Sequence, residues 1–167
     1  MMHVNFIAVI IAALIPTLVG FIWYHPKVMG TVWEKNTGVD MSTPGNRSMP
    51  VVFGLSLLLS FLLAGSMLPI TIHQMGVYSM VANEPGLNDP TSEVGHMLSS
   101  LMAKYGTNFR TLKHGALHGF IISLFFMLPI IGTNALFERK STMYIVINAA
   151  YWAITLTLMG AVICAYA

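Results

Sequence analysis

Two histidines four residues apart, His114 and His118 in the stretch HGALH, have the side chains and the spacing best suited to chemistry in this sequence. If the stretch is helical, residues i and i+4 lie on one face, and the two imidazoles can share a metal ion or a proton. Zinc takes three or four ligands, and His73 or His96 could supply a third. No HExxH or CxxC motif accompanies the pair. A structural role at a membrane interface, a metal or haem site, and a proton relay therefore all stay open, and we assign no cofactor.

A second group of candidates consists of polar side chains in or beside apolar stretches: Asn5, Asn134, Asn148 and Glu138. An amide that faces lipid is costly, so we expect the three asparagines to point into the protein. There they would form hydrogen bonds between helices or line a path for a solute or an ion. Glu138 stands beside Arg139 and Lys140, which predicts an ion pair worth about 1 kcal/mol or less. The alternative is that it folds beneath the bundle and bonds Asn148 or the end of the first helix.

The stretch WYHP follows a run of 22 residues that contains no Asp, Glu, Lys or Arg. Trp23 and Tyr24 are typical of the headgroup level of a membrane, where a ring can lie in the apolar zone while its polar atom reaches water. Pro26 disfavours helical geometry at His25, so the helix is expected to stop there. We interpret His25 as an interfacial histidine, with a role as proton carrier or ligand as the alternative.

The composition indicates that these residues belong to a membrane protein. Of 167 residues, 56% are hydrophobic and 8% are charged, and the mean hydropathy is +0.73, whereas soluble domains carry roughly a quarter charged residues. A net charge of +2 gives no basic stripe for phosphates, so nucleic acid is not expected as a partner. The sequence has no nucleophile elbow, no phosphate-binding glycine loop and no paired carboxylates in an apolar stretch, so we do not expect an enzyme.

Four apolar stretches reach the roughly 20 residues that a helix needs to cross a bilayer. In lipid every backbone amide needs an internal partner, so stretches of this length are expected to be helical. We predict one all-α membrane domain over residues 1–167, with a bundle of four transmembrane helices at about 4–24, 50–72, 115–135 and 142–166.

An amphipathic helix is predicted in the loop between the second and third spans, at about residues 90–105. Its apolar positions recur at helical spacing: Val94, Met97, Leu98, Leu101, Met102 and Tyr105. Asp89 and Pro90 form a favourable opening, and Gly106 closes the run. We expect this helix to lie on the membrane surface or to cover the bundle.

Basic residues in the loops give the predicted orientation. The loops that join spans one to two and three to four hold Lys27, Lys35, Arg47, Arg139 and Lys140, and the loop between spans two and three holds Lys104, Arg110 and Lys113. The positive-inside rule places the first set in the cytoplasm, which leaves both termini on the outer side of the membrane.

Several residues near the two ends resemble one known family. They are Asn5, Ala8, Val9, Gly20, Trp23, Tyr24, Pro26, Gly30 and Trp33, together with NALFERKS and INAAYW between Asn134 and Trp152. The sequence is similar to bacterial membrane proteins of domain-of-unknown-function family 1761, apart from a loop at about 74–109 that looks like an insertion. The resemblance implies a four-helix protein of the bacterial inner membrane, and it implies no activity.

The function expected from these observations is non-catalytic. We predict a four-helix integral membrane protein that forms a homo-oligomer or serves as an accessory subunit of a larger membrane assembly, with lipid and other membrane subunits as its partners. The first alternative is a small transporter or channel with a polar intramembrane path. The second is a metal- or haem-binding membrane protein that uses His114 and His118.

Overall fold

The computed structural model describes residues 4–39, 42, 43 and 45–167, and within these ranges all regular structure is helical. Seven helices follow in chain order: α1 (Phe6–Trp23), α2 (Thr31–Thr37), α3 (Met49–Thr71), α4 (His73–Met80), α5 (Glu93–Tyr105), α6 (Leu112–Phe137) and α7 (Thr142–Tyr166). A π-helical turn, Pro26–Gly30, precedes α2, and a second, Ser123–Met127, lies inside α6.

Four of these helices, α1, α3, α6 and α7, are long and apolar enough to cross a membrane. The predicted fold class, an all-helical membrane protein with four spans, is confirmed. Three spans agree with the predicted bounds to within two residues, whereas α6 begins three residues earlier than expected. The reason is a helix cap, because the Thr111 hydroxyl accepts a hydrogen bond from the His114 backbone N–H at 3.2 Å.

The four spans alternate in direction, as contacts between their ends show. The rings of Phe21, late in α1, and Phe53, early in α3, lie 5.5 Å apart. Gly115, early in α6, packs against Gly160, late in α7. The start of α6 also meets the end of α3, since His114 contacts His73. We call the end of the bundle where α1 and α6 begin the histidine face, and the other end the opposite face.

The amphipathic helix is present as α5, with a start that differs from the prediction. It begins at Glu93, where the Ser92 hydroxyl accepts from the Gly95 N–H at 3.0 Å. The Asp89 carboxylate instead accepts from the backbone N–H and the hydroxyl of Thr91, at 2.8 and 2.7 Å, and forms a separate turn before the helix. These two bonds hold the pKa of Asp89 below its usual value.

Close approach between α6 and α7 gives the tightest packing in the bundle. A Cβ atom added at Gly115 would collide with the Gly160 carbonyl, and one added at Gly119 would collide with the Leu156 carbonyl. Leu156 is fully buried, as are Met159 and Ile163 one and two turns later. Lipid gives helices little hydrophobic reason to associate, so they depend on close packing. Glycine at these positions allows the two backbones to make that close contact.

We predict that Gly119→Ala destabilises the protein, because the new methyl group collides with backbone atoms of Leu156. Backbone atoms cannot move aside by a change of rotamer. Overpacking of this kind costs about 1–3 kcal/mol. Gly54→Ala is the matched control, since a Cβ at Gly54, in α3, meets nothing within 4 Å. The control should be neutral or slightly stabilising, because alanine is the better helix former. Thermal unfolding in mild detergent measures both variants, and equal midpoints would contradict the packing argument.

Candidate metal centre

Three histidines meet at the histidine face, and we refer to His73, His114 and His118 as the histidine cluster. The Nε2 atoms of His73 and His114 are 2.8 Å apart. One ring nitrogen from each of the three residues lies within 4.8 Å of the others. The ring centroids are 4.5 to 5.1 Å apart. Imidazole nitrogens from two helices, 41 positions apart in sequence for His73 and His114, therefore converge on one point.

The position of His73 follows from a break in the chain. After Thr71 the backbone becomes extended at Ile72, with φ −108° and ψ 96°, and α4 starts at His73 in a new direction. Both neighbours of His73 are fixed: Ile72 is buried, and the Gln74 amide donates to the carbonyl oxygens of Tyr105 and Asn108, at 3.0 and 2.9 Å. His73 is therefore held between two anchored residues.

Phe109 is a member of the site that the sequence did not reveal. Its ring centroid lies 5.7 Å from that of His73 and 5.0 Å from that of His114. Its carbonyl oxygen accepts hydrogen bonds from the Cys164 thiol at 3.2 Å and from the Thr111 N–H at 2.8 Å. Its φ of 62° is uncommon for a bulky residue. Backbone strain of this kind concentrates at functional sites, and nothing in the local sequence signals it.

The contact between His73 and His114 constrains their protonation. An Nε2 to Nε2 separation of 2.8 Å is a hydrogen bond, so one nitrogen donates and the other accepts. At least one of the two imidazoles is therefore neutral, which is the form that binds metals. A metal ion would replace this hydrogen bond with coordination from both rings.

The spacing of the histidine cluster suits a small divalent ion. Zinc binds imidazole nitrogen at about 2.0–2.1 Å, so a tetrahedral ion places its ligand atoms about 3.3 Å apart. The separations here, 2.8 Å for one pair and at most 4.8 Å for the set, bracket that value. Small rotations of the rings would complete three bonds. The group contains no carboxylate and no thiolate, so imidazole nitrogen is its whole donor set.

Haem held by two histidines fits the cluster poorly. Two histidines that hold one haem approach the iron from opposite sides of the macrocycle, with the porphyrin between them. His114 and His118 lie on one face of α6, and their ring centroids are 4.5 Å apart. The geometry therefore favours a single ion over a haem held by both of these histidines. His96, the other residue considered as a third ligand, lies on α5 outside the group.

The predicted interfacial residues lie at the opposite face. The Trp23 indole donates to the Ile147 carbonyl at 3.2 Å, and the Tyr24 hydroxyl donates to the Asn148 side-chain oxygen at 2.9 Å. His25 begins the π-helical turn, where its Nδ1 accepts from the Lys27 N–H at 3.2 Å. These bonds connect the end of α1 to the start of α7.

The structure does not assemble the four polar candidates into a path. Asn148 is partly buried as expected, and its amide also donates to the Tyr144 carbonyl at 2.7 Å. The expectation that all three asparagines point inward is wrong for Asn5 and Asn134, whose side chains are exposed. Asn5 instead caps α1 by accepting from the Ile7 N–H at 3.1 Å. Glu138 is exposed just after α6 and does not lie beneath the bundle.

Comparison with known protein families gives a match over nearly the whole chain. The sequence model of a family of proteins of unknown function, DUF1761, matches residues 7–164. The chain belongs to the DUF1761 family. The matched range contains the whole histidine cluster and all four spans except Phe6 and the last two residues of α7. No curated protein and no solved structure matches the chain.

We predict that Tyr24 and Asn148 are energetically coupled. Removal of the hydroxyl in Tyr24→Phe or of the amide in Asn148→Leu breaks the same bond, so the double variant should lose less than the sum of the two. The expected coupling is about 0.5–2 kcal/mol, as for hydrogen bonds between membrane helices. Unfolding in detergent of the wild type and three variants gives this value. Tyr166→Phe is the control partner, since Tyr166 is exposed near the histidine face, and additivity for both pairs would contradict the prediction.

Proposed function

We propose that this chain is an integral membrane protein that binds one divalent transition-metal ion through His73, His114 and His118. The observation that carries the proposal is the convergence of three imidazole nitrogens within 4.8 Å. Two of the ligands stand at i and i+4 on α6, and the third comes from the start of α4. Such an arrangement joins two helices through one ion.

The donor set indicates which ions to expect. Imidazole suits zinc, copper and nickel, whereas calcium and magnesium prefer oxygen ligands, which this group lacks. Zinc held by three histidines, with its fourth coordination position free for another ligand, is a known arrangement. We therefore propose zinc or an ion of similar preference, such as cobalt, as the species bound.

The packing of the site supports binding by a preformed group. The Cys164 thiol is hydrogen-bonded to two carbonyl oxygens at 3.2 Å each. One belongs to Phe109, whose φ is positive, and the other to Thr71, the last residue of α3. The same thiol is buried at the end of α7. It thus ties α7 to the end of α3 and to the segment just before α6, the two places from which the histidines come. Preorganisation of this kind reduces the ordering cost of binding.

We predict that metal-free protein, purified in mild detergent without a histidine tag, binds one Zn²⁺ or Co²⁺ per chain. Each of the variants His73→Ala, His114→Ala and His118→Ala should weaken binding by more than about 100-fold, because even loss of an outer-shell partner costs 10–100-fold. Calorimetric titration measures the affinity and the stoichiometry.

His25→Ala and His96→Ala are the controls, since both histidines lie outside the cluster. They should bind as the wild type does. Binding by the wild type that is no tighter than binding by a variant lacking all three cluster histidines would refute the proposal. Equal losses in the cluster variants and the controls would refute it as well.

We further infer that the histidine face lies on the outer side of a bacterial cytoplasmic membrane. The support is the distribution of basic residues. Five lie in the segments at the opposite face and three in the segment at the histidine face: Lys27, Lys35, Arg47, Arg139 and Lys140 against Lys104, Arg110 and Lys113. The positive-inside rule favours the cytoplasm for the larger set. A metal would then be taken from, or presented to, the outer aqueous phase.

Labelling of single cysteines tests the orientation. In a Cys164→Ala background, Ser100→Cys on α5 and Asn46→Cys before α3 both change exposed residues and leave the charge count unaltered. A membrane-impermeant maleimide applied to spheroplasts should label the Ser100 variant at once, and the Asn46 variant only after permeabilisation. The reverse pattern would contradict the inferred orientation.

A further inference from the structure

The histidine cluster offers three ligands, and a tetrahedral ion takes four. From the groups that surround this site we propose that the bound ion holds a small, exchangeable anion from the aqueous phase, such as a carboxylate or bicarbonate, as its fourth ligand. This inference rests on the proposed metal binding and names the class of ligand that the site takes.

Charge is the first reason. The donor set consists of three imidazoles, which bind metals in their neutral form, and it includes no carboxylate or thiolate. A divalent ion in the cluster therefore keeps its full charge of +2. Opposite charges attract far more strongly near a low-dielectric boundary than in bulk water. A negatively charged fourth ligand is accordingly favoured over a neutral one.

The second reason is that, within the part of the chain that the structure describes, no fourth histidine, cysteine or carboxylate ligand joins the cluster. Cys164 is the only cysteine of the chain, and its thiol is already hydrogen-bonded to the carbonyl oxygens of Thr71 and Phe109. Phe109 lies against the His73 and His114 rings but has no donor atom in its side chain. The Gln74 amide nitrogen donates to two carbonyl oxygens on the α5 side, and its side-chain oxygen is buried without a hydrogen-bond partner. Among the His, Cys, Asp and Glu side chains of the described residues, the group that could hold an ion contains the three histidines alone.

Access from water is the third reason. α6 has 26 residues, which at 1.5 Å per residue is about 39 Å and exceeds the roughly 30 Å hydrocarbon core. We therefore expect its first turn, which carries Lys113 and His114, to reach the headgroup layer. His73 is exposed, and His114 and His118 are half-buried. A solute from the aqueous phase can thus reach the side of the ion that the protein leaves open.

Cobalt provides a direct probe, because the visible absorption of Co²⁺ responds to its ligands. The experiment titrates the 1:1 Co²⁺ complex of the full-length protein, in chloride-free buffer, with acetate and in parallel with acetamide. The two molecules have nearly the same size and differ in charge. We expect acetate to shift the spectrum with a one-site saturation curve, azide to behave likewise, and acetamide to have no effect at the same concentrations.

The outcomes separate the two proposals. A protein that binds one Co²⁺ but shows no spectral change with acetate or azide would overturn the anion inference and leave metal binding intact. Equal responses to acetate and acetamide would overturn the charge argument on which the inference depends. A protein that binds no Co²⁺ would overturn both proposals. As a check on the site, His96→Ala should give the same acetate titration as the wild type.

Discussion

The close contact between α6 and α7 at Gly115, Gly119 and Gly160 is the constraint on which the rest of the structure depends. Lipid tails are as apolar as leucine, so the spans gain little from burying apolar side chains against one another. What holds them is dispersion at short range, and only glycine allows backbones to approach this closely. Gly115 directly follows His114, and Gly119 directly follows His118. The same contact therefore fixes the rotation of α6 about its axis. It thereby decides which way His114 and His118 face.

The opposite face is held differently, by polar groups on aromatic rings. The Trp23 and Tyr24 bonds to α7, and the Tyr151 hydroxyl that donates to the Pro16 carbonyl at 2.8 Å, connect α1 and α7. These contacts satisfy groups that could not be left unpaired in lipid. The opposite face is thus joined by aromatic side chains, whereas at the histidine face the chain breaks at Ile72 between two helices. That break places His73 beside the start of α6, where the ligand site forms.

Much of this arrangement could be predicted from sequence, for a physical reason. Length and hydropathy decide which stretches span a bilayer, and helical period reveals α5 and the shared face of His114 and His118. The participation of His73 could not be decided, because it depends on the break at Ile72 and on a contact across 41 positions. The role of Phe109 depends on a backbone angle that composition does not signal.

The polar candidates show the limits of residue type as a guide. Asn5 caps α1, and the Asn134 side chain is exposed, although both were predicted to face inward. An asparagine near a helix end can satisfy its amide at the cap or in the headgroup layer, so it need not be buried. Asn148 lies farther inside and finds two partners. The absence of catalysis and the association into oligomers or larger assemblies stay predictions.

The central claim is that three imidazoles from two helices surround one ion. X-ray absorption spectroscopy of the zinc-loaded protein tests it most directly, because it reports the identity and the distance of the atoms bound to the metal. The account predicts three imidazole nitrogens at about 2.0–2.1 Å, with the outer-ring scattering of histidine, one further oxygen or nitrogen ligand and no sulfur. A first shell that contains sulfur, or one made of oxygen without imidazole scattering, would contradict it.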